Sequence, residues 1–249
     1  MAGRLKNRTA LVTGANRGIG LAIAKEFGRE GATVLLAGRN KAALEKVRSE
    51  ITAAGGKAEV FEVDLEKEDS TRAFGRALRE KVQALDVFIG NAASLGARVP
   101  LTKYPLDTWR QTFRINVDAN LILLQELDPL LKKSDAARII MLSAKVATSG
   151  KATTGSYAVS KAALEAIVRI YVAELNNSAD KQSPLRINIV SPGATRTEMR
   201  ARAEPKENPM SIKAPDAIAP LFVEMSVPEY KEQGKWVDAD EWLARRSKS

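Results

Sequence analysis

"LVTGANRGIGLAIAKEFG", residues 11–28, carries the clearest structural signal in the chain. It opens as the end of an apolar run, turns through Gly14, Gly18 and Gly20, and continues with apolar residues at helical spacing. Strand, glycine turn and helix in immediate succession make the first half of a βαβ unit. Glycines in such a turn let the backbone come close to a pyrophosphate, and the free N–H groups and positive dipole end of the helix favour the anion. The spacing is G-x3-G-x-G rather than G-x-G-x-x-G, so its weight comes from its place directly after a strand. The turn residues Gly14, Asn16, Arg17, Gly18, Ile19 and Gly20 are therefore candidate cofactor contacts.

The rest of the chain repeats the alternation. Near-continuous runs rich in Val, Ile and Leu stand at 9–13, 33–37, 58–63, 86–90, 138–143 and 186–191, as in parallel strands covered on both faces. Segments of helical period fill 18–30, 41–54, 69–83, about 106–131 and about 154–177. Six strands alternating with helices predict an α/β fold, a doubly wound, mostly parallel Rossmann-type sheet with helices on both faces. No linker, repeat or low-complexity segment divides the 249 residues, so one domain is expected over 1–249. The polar, proline-bearing stretch from Met199 to Pro215 reads as a mobile excursion after the sixth strand.

Two absences narrow the chemistry. The chain has no histidine and no cysteine, which excludes a cysteine nucleophile, a Ser-His-Asp triad and a His- or Cys-based zinc site. No metal is expected. The formal charge of +9 comes from 39 basic and 30 acidic residues interleaved along the chain. Spread in this way it makes a weak footprint for nucleic acid, and a positive field serves a phosphorylated cofactor equally well. No run approaches the ~18 apolar residues of a membrane span, and the N-terminus lacks the apolar core of a signal peptide, so a cytoplasmic protein with no membrane partner is expected.

The second strand ends in "LLAGRN". A dinucleotide site that takes an unphosphorylated ribose places an acidic residue here, ~20 residues beyond the glycines. This chain instead has Gly38 followed by Arg39. A guanidinium offers a 2′-phosphate several donors in a planar fork, and Arg17 is within the same turn. NADP(H) is the expected cofactor.

With no histidine available, acid–base work falls to "GSYAVSKAALEA", residues 155–166. Tyr157 and Lys161 are four apart on a predicted helix and share a face. A phenol titrates near pH 10, and a neighbouring ammonium is expected to lower that value and make the tyrosine a usable general acid–base.

The ordered motifs "TGANRGIG" (13–20), "VDL" (63–65), "GNAA" (90–93), "RINV" (114–117), "YAVSK" (157–161) and "SPGATRT" (191–197) together resemble the short-chain dehydrogenase/reductase family, in its TGxxxGxG and YxxxK branch. The resemblance covers nearly the whole chain. It implies hydride transfer between a nicotinamide and a carbonyl or secondary alcohol carbon of a small molecule, by a homodimer or homotetramer. It also implies roles: Tyr157 as proton donor or acceptor, Lys161 holding the nicotinamide ribose as well, and Asn116 in a proton relay running through water to Lys161. Asp64 and Leu65 would lie by the adenine, Asn91 and Ala92 would support the cofactor and the central sheet, and Pro192, Gly193 and Thr197 would border the nicotinamide.

Three places depart from the family's pattern. "GNAA" stands for the usual NNAG, and "QGKWVDADEWL" (233–243) replaces a glycine-rich end. The largest departure is the substrate serine, which the family carries 13 residues before the tyrosine; that position here is Ala144, preceded by Ser143. Ser143 is the candidate substitute, but adjacent strand residues point to opposite faces. It is therefore expected to turn away from Tyr157, with Thr148 or Ser149 as other possible sources of a hydroxyl. Ala144 also motivates a rival reading, a cofactor-binding regulatory or scaffold protein with weak or no turnover. Trp109, Trp236 and Trp242 read as packing or interface residues. The loops at 94–105, 144–153 and 198–214 would set the substrate and carry no recognisable specificity pattern.

Overall fold

The computed structural model describes residues 3–177 and 184–247. Its strands are β1 (Thr9–Thr13), β2 (Thr33–Gly38), β3 (Lys57–Glu62), β4 (Val87–Gly90), β5 (Arg138–Leu142), β6 (Arg186–Ser191) and β7 (Trp236–Asp238). The helices are α1 (Gly18–Arg29), α2 (Lys41–Ala53), α3 (Glu68–Lys81), α4 (Leu106–Phe113), α5 (Ala119–Leu131), α6 (Val146–Ser149), α7 (Gly155–Asn177), α8 (Glu198–Ala203), α9 (Ala219–Ser226) and α10 (Ala239–Arg246). A π-turn, Arg114–Asp118, joins α4 to α5. The strands form one sheet in the order β3-β2-β1-β4-β5-β6-β7, and every pairing is parallel. Chain order reverses at β1, which lies between β2 and β4.

Strand alternation produces two cores. Ala10 and Val12 of β1 face α1, α2 and α9, where Ile23, Phe27, Leu44, Ile51 and Phe222 are buried. Leu11 faces the other way, into a core with Phe74 of α3, Leu123 and Leu127 of α5, and Leu164 and Val168 of α7. Strands covered on both faces have no polar side, which is why they read as continuous apolar runs. Among the described residues no helix is long and apolar enough to cross a membrane.

The C-terminal ends of β1 and β4 are knitted together where the order reverses. The Thr13 hydroxyl donates to the Ile89 carbonyl (3.1 Å) and accepts from the N–H groups of Asn91 (3.0 Å) and Ala92 (3.1 Å). Asn91 Nδ2 donates to the Thr13 carbonyl at 2.7 Å and to that of Gly14 at 3.3 Å. Gly14 has a φ of +65°, and a Cβ on it would stand 2.9 Å from Asn91 Nδ2. A Cβ on Gly20 would stand 2.5 Å from the same nitrogen and closer still to the Gly14 carbonyl oxygen. The first turn of α1 can approach the β1–β4 seam this closely only without side chains there.

Two expectations are corrected. The sheet has a seventh strand: β7 pairs with β6 from Ile189↔Trp236 to Ser191↔Asp238. Three residues ending in an aspartate are too short for a periodicity to show. The stretch from Met199 to Pro215 is built rather than loose. The Thr197 hydroxyl caps α8 by accepting from Arg200 N–H (3.1 Å), and Arg200 grips Glu207 through two hydrogen bonds of 2.6 Å. Lys213 donates to the Ala194 carbonyl at 2.9 Å and pairs with Asp240.

Asn91→Ala removes the donor to the Thr13 and Gly14 carbonyls. It should lower the unfolding free energy in urea by ~1–3 kcal/mol, the usual range for a partly buried acceptor left without its partner.

Candidate functional site

A crevice of about 650 Å³ runs across the C-terminal ends of the strands at the point of reversal, where open α/β sheets bind their ligands. Arg39, Asp64 and Leu65 line it, as do Gly14, Asn16, Arg17, Gly18, Ile19, Asn91 and Ala92 of the central turns. Ser143, Tyr157, Lys161, Pro192 and Thr197 line it too. Most residues named from the sequence thus meet in one cleft. Three stand behind its wall. Gly20 is buried under the floor against Asn91, Gly193 backs onto the Asp240 carboxylate, and Asn116 is buried behind Ser94. The sequence did not single out Ser94, Gln111, Ile115, Met199 and Arg202, which also line the crevice. They lie on or beside the segments after the strands, where no periodicity marks an individual side chain.

Arg39 is exposed and takes part in no hydrogen bond or ion pair with the described residues. No carboxylate stands at the end of β2, since Gly38 holds that position. Arg17 differs, because its guanidinium is paired with Glu198 at the start of α8. Both side chains are well exposed, so this pair is weak. Asp64 is fixed by its own turn, its N–H donating to the Ser70 hydroxyl (3.0 Å) and its carboxylate accepting from Glu66 N–H (3.1 Å).

The far end of the crevice is set by α7. Tyr157 and Lys161 lie one turn apart there, with Lys161 2% exposed. Lys161 Nζ donates to the Leu142 carbonyl at 2.6 Å and lies 5.9 Å from the centre of the Tyr157 ring. Burial pushes the Tyr157 phenol up to about 12. It also draws the Lys161 ammonium down to about 8, against the pull of the Glu165 carboxylate. The expected lowering of the phenol by the ammonium is therefore not what this arrangement shows. The lysine is turned to a strand carbonyl, and desolvation governs both groups.

Asn116 sits in the π-turn, whose i to i+5 bond runs from Ala119 N–H to the Arg114 carbonyl. Its Oδ1 accepts from Ser94 N–H (2.7 Å), and its Nδ2 donates to the Ser94 carbonyl (3.0 Å) and the Ser160 hydroxyl (2.9 Å). It clasps the segment after β4 to α7. Ser143, although it lines the crevice, donates its hydroxyl to Glu165 Oε1 at 2.5 Å. The same oxygen accepts from Trp236 Nε1 at 3.0 Å. The Ser143 hydroxyl, expected to turn from the tyrosine, is engaged by Glu165, about two turns further along α7. The acidic C-terminal segment is used structurally as well. Asp238 caps α10 through Asp240 N–H (2.8 Å) and pairs with Lys145 at 2.7 Å.

The depressed Lys161 value has a measurable consequence. The folded-state value, about 8, lies below the ordinary 10.5. Between those pH values the unfolded chain binds more protons than the native one, so stability gains with rising pH. Unfolding free energies of the native chain and of Lys161→Met, followed by urea between pH 7 and 10.5, should show native stability improving relative to the variant above about pH 8. A constant difference would place Lys161 at an ordinary value.

Comparison with known proteins matches this geometry to a family. The family model for short chain dehydrogenase matches residues 8–208. The chain is 37% identical over 222 residues to the uncharacterized oxidoreductase YciK of Escherichia coli strain K12, covering 88% of this chain and 86% of that protein. Among solved structures, a short chain dehydrogenase from Shigella flexneri 2a strain 301 complexed with NADP superposes with a TM-score of 0.90 at 35% identity. It covers 96% of this chain and 100% of that one. A short chain dehydrogenase from Escherichia coli CFT073 complexed with NADPH gives a TM-score of 0.89 at 35% identity, covering 95% and 98%. With the glycine turn, the tyrosine and the lysine all brought into one crevice, the chain belongs to the short-chain dehydrogenase/reductase family.

Proposed function

We propose that this protein is an NADP(H)-dependent oxidoreductase that interconverts a small-molecule carbonyl and its secondary alcohol, in the cytoplasm, as a homodimer or homotetramer of single-domain chains. One observation carries the reading. A single crevice has at the end of β2 an arginine without a partner among the described residues, and at its other end the Tyr157–Lys161 pair. The solved relatives complexed with NADP and NADPH support the same cofactor. The rival scaffold reading finds no support in these comparisons.

The residues present fit such a cofactor. The glycine turn brings bare backbone and the N-terminus of α1 to the crevice, which suits a pyrophosphate. Arg39 would hold the 2′-phosphate, and Asp64 and Leu65 would flank the adenine. Asn91 and Ala92 would support the middle of the molecule, with Pro192, Gly193 and Thr197 around the nicotinamide and Lys161 on its ribose. Bound there, the nicotinamide supplies or accepts the hydride. In the reducing direction Tyr157 donates its phenolic proton to the carbonyl oxygen as negative charge develops on it. A neutral phenol is the correct form for that donation at neutral pH. Lys161 carries its positive charge below about 8, 5.9 Å from the centre of the Tyr157 ring, and would offset the charge left on the phenolate. Asn116 belongs to the relay that returns a proton to this pair.

Cofactor choice tests the reading. NADPH should bind at least tenfold more tightly than NADH, equivalent to ~1.4 kcal/mol, as measured by nucleotide fluorescence titration. Arg39→Asp should narrow or invert that ratio. Equal affinities in the native protein would contradict the assignment.

A further inference from the structure

If the proposed reaction is right, the site lacks a hydroxyl it needs. The family's serine position is Ala144, and the Ser143 hydroxyl is committed to Glu165. A carbonyl oxygen gaining charge is then left with Tyr157 as its single donor unless another hydroxyl faces it. Thr153, after β5, does not line the crevice, and the other hydroxyls there are occupied elsewhere. Thr148 and Ser149 are exposed and both donate to the Lys145 carbonyl, at 3.2 and 3.1 Å, and Thr154 donates to the Lys151 carbonyl at 2.6 Å. Thr197 lines the crevice, but it caps α8, and its methyl would stand 3.3 Å from a Cβ on Gly18, at the glycine-turn end.

We propose that Ser94, on the segment after β4, supplies the second hydroxyl of the active site and donates to the substrate oxygen beside Tyr157. Ser94 lines the crevice with Tyr157. Its main chain is clasped at both N–H and C=O by the Asn116 side chain. That amide also holds Ser160, whose hydroxyl donates to the Tyr157 carbonyl at 2.8 Å. A second staple lies two residues further on. Gly96 packs so closely that a Cβ would stand 2.5 Å from the Ser156 hydroxyl oxygen. Tyr104 then accepts from Ala97 N–H at 2.7 Å and exchanges a hydrogen bond of 2.6 Å with Ser156.

The Ser94 segment is thus pinned to α7 through Ser156 on one side of Tyr157 and Ser160 on the other. A donor held this way needs no reorganisation as charge develops, which is what makes such donors effective. The Ser94 hydroxyl oxygen accepts from Gly96 N–H at 3.3 Å, and no acceptor among the described residues takes its proton. The donor is free to be given to a ligand.

The inference rests on the proposed carbonyl chemistry, and the test separates the two. NADPH oxidation is followed with an α-diketone, an aryl aldehyde and a β-keto ester, alongside NADPH fluorescence titration and thermal melting of each variant. Ser94→Ala should lower kcat by ~10²-fold, the usual cost of one such donor, with NADPH affinity and melting temperature unchanged. Ser94→Cys, close in size but a poor donor, should behave alike and covers the case of an alanine that folds badly. Adding Ala144→Ser to Ser94→Ala should restore part of the loss, and more than the same change gains in the native chain. If Tyr157→Phe is inactive while both Ser94 variants keep native rates, the inference falls and the carbonyl chemistry stands. If Tyr157→Phe keeps native activity, or the native chain binds NADPH and turns over none of the three compounds, the proposed function falls and the inference with it.

Discussion

The contact between the first turn of α1 and the β1–β4 seam is the constraint on which the rest of the molecule depends. Asn91 reaches back to the carbonyls of Thr13 and Gly14, and Gly20 lies against both the Gly14 carbonyl and the Asn91 amide. This closeness sets the angle at which α1 leaves the sheet and opens the crevice above the reversal of strand order. Every later strand then delivers its C-terminal end to the same edge. The segment after β4 brings Ser94, the end of β5 brings Ser143, and the segment after β6 brings Pro192 and Thr197. A side chain at position 20 would push α1 away and disturb all of these at once.

At the other end of the crevice the governing effect is desolvation. Lys161 is buried with one carbonyl as hydrogen-bond acceptor, and the nearest acidic influence is Glu165, one turn along α7. Glu165 is itself buried and receives the Ser143 hydroxyl and the Trp236 indole N–H. The carboxylate therefore ties β5, α7 and β7 together while keeping the lysine more cationic than its burial alone would allow. The departure at Ala144 and the position of Ser143 belong to the same arrangement. The serine that remains has a structural partner, and the second hydroxyl we propose, that of Ser94, belongs to the segment after β4.

Much of this was legible in the sequence because it follows from local rules. Five of the six longer strands are buried almost throughout and are marked by unbroken apolar runs, and β3, at the sheet edge, is only half-buried. The glycine turn marks the crevice, and Tyr157 and Lys161 share a helical face. Arg39 after Gly38 pointed to the cofactor from charge alone. What the sequence did not show depends on long-range packing. β7 is three residues long and acquires its meaning from its register with β6. Met199 to Pro215 is polar enough to look loose, yet a cap and several ion pairs order it. The elevated phenol arises from burial by distant elements, which spacing along a helix cannot reveal. Ser94 is an ordinary serine until Asn116, 22 residues away, clasps it.

In the proposed reaction hydride moves between nicotinamide and a carbonyl carbon inside this crevice while Tyr157 supplies the proton. Turnover of a reducible carbonyl compound with NADPH deuterated at C4, analysed by mass spectrometry and NMR of the alcohol, tests it most directly. One deuterium per product molecule is expected, on the carbinol carbon, from only one of the two C4 epimers, with no labelled product from Tyr157→Phe. Oxidation of NADPH without label in the alcohol, or equal transfer by Tyr157→Phe, would contradict it.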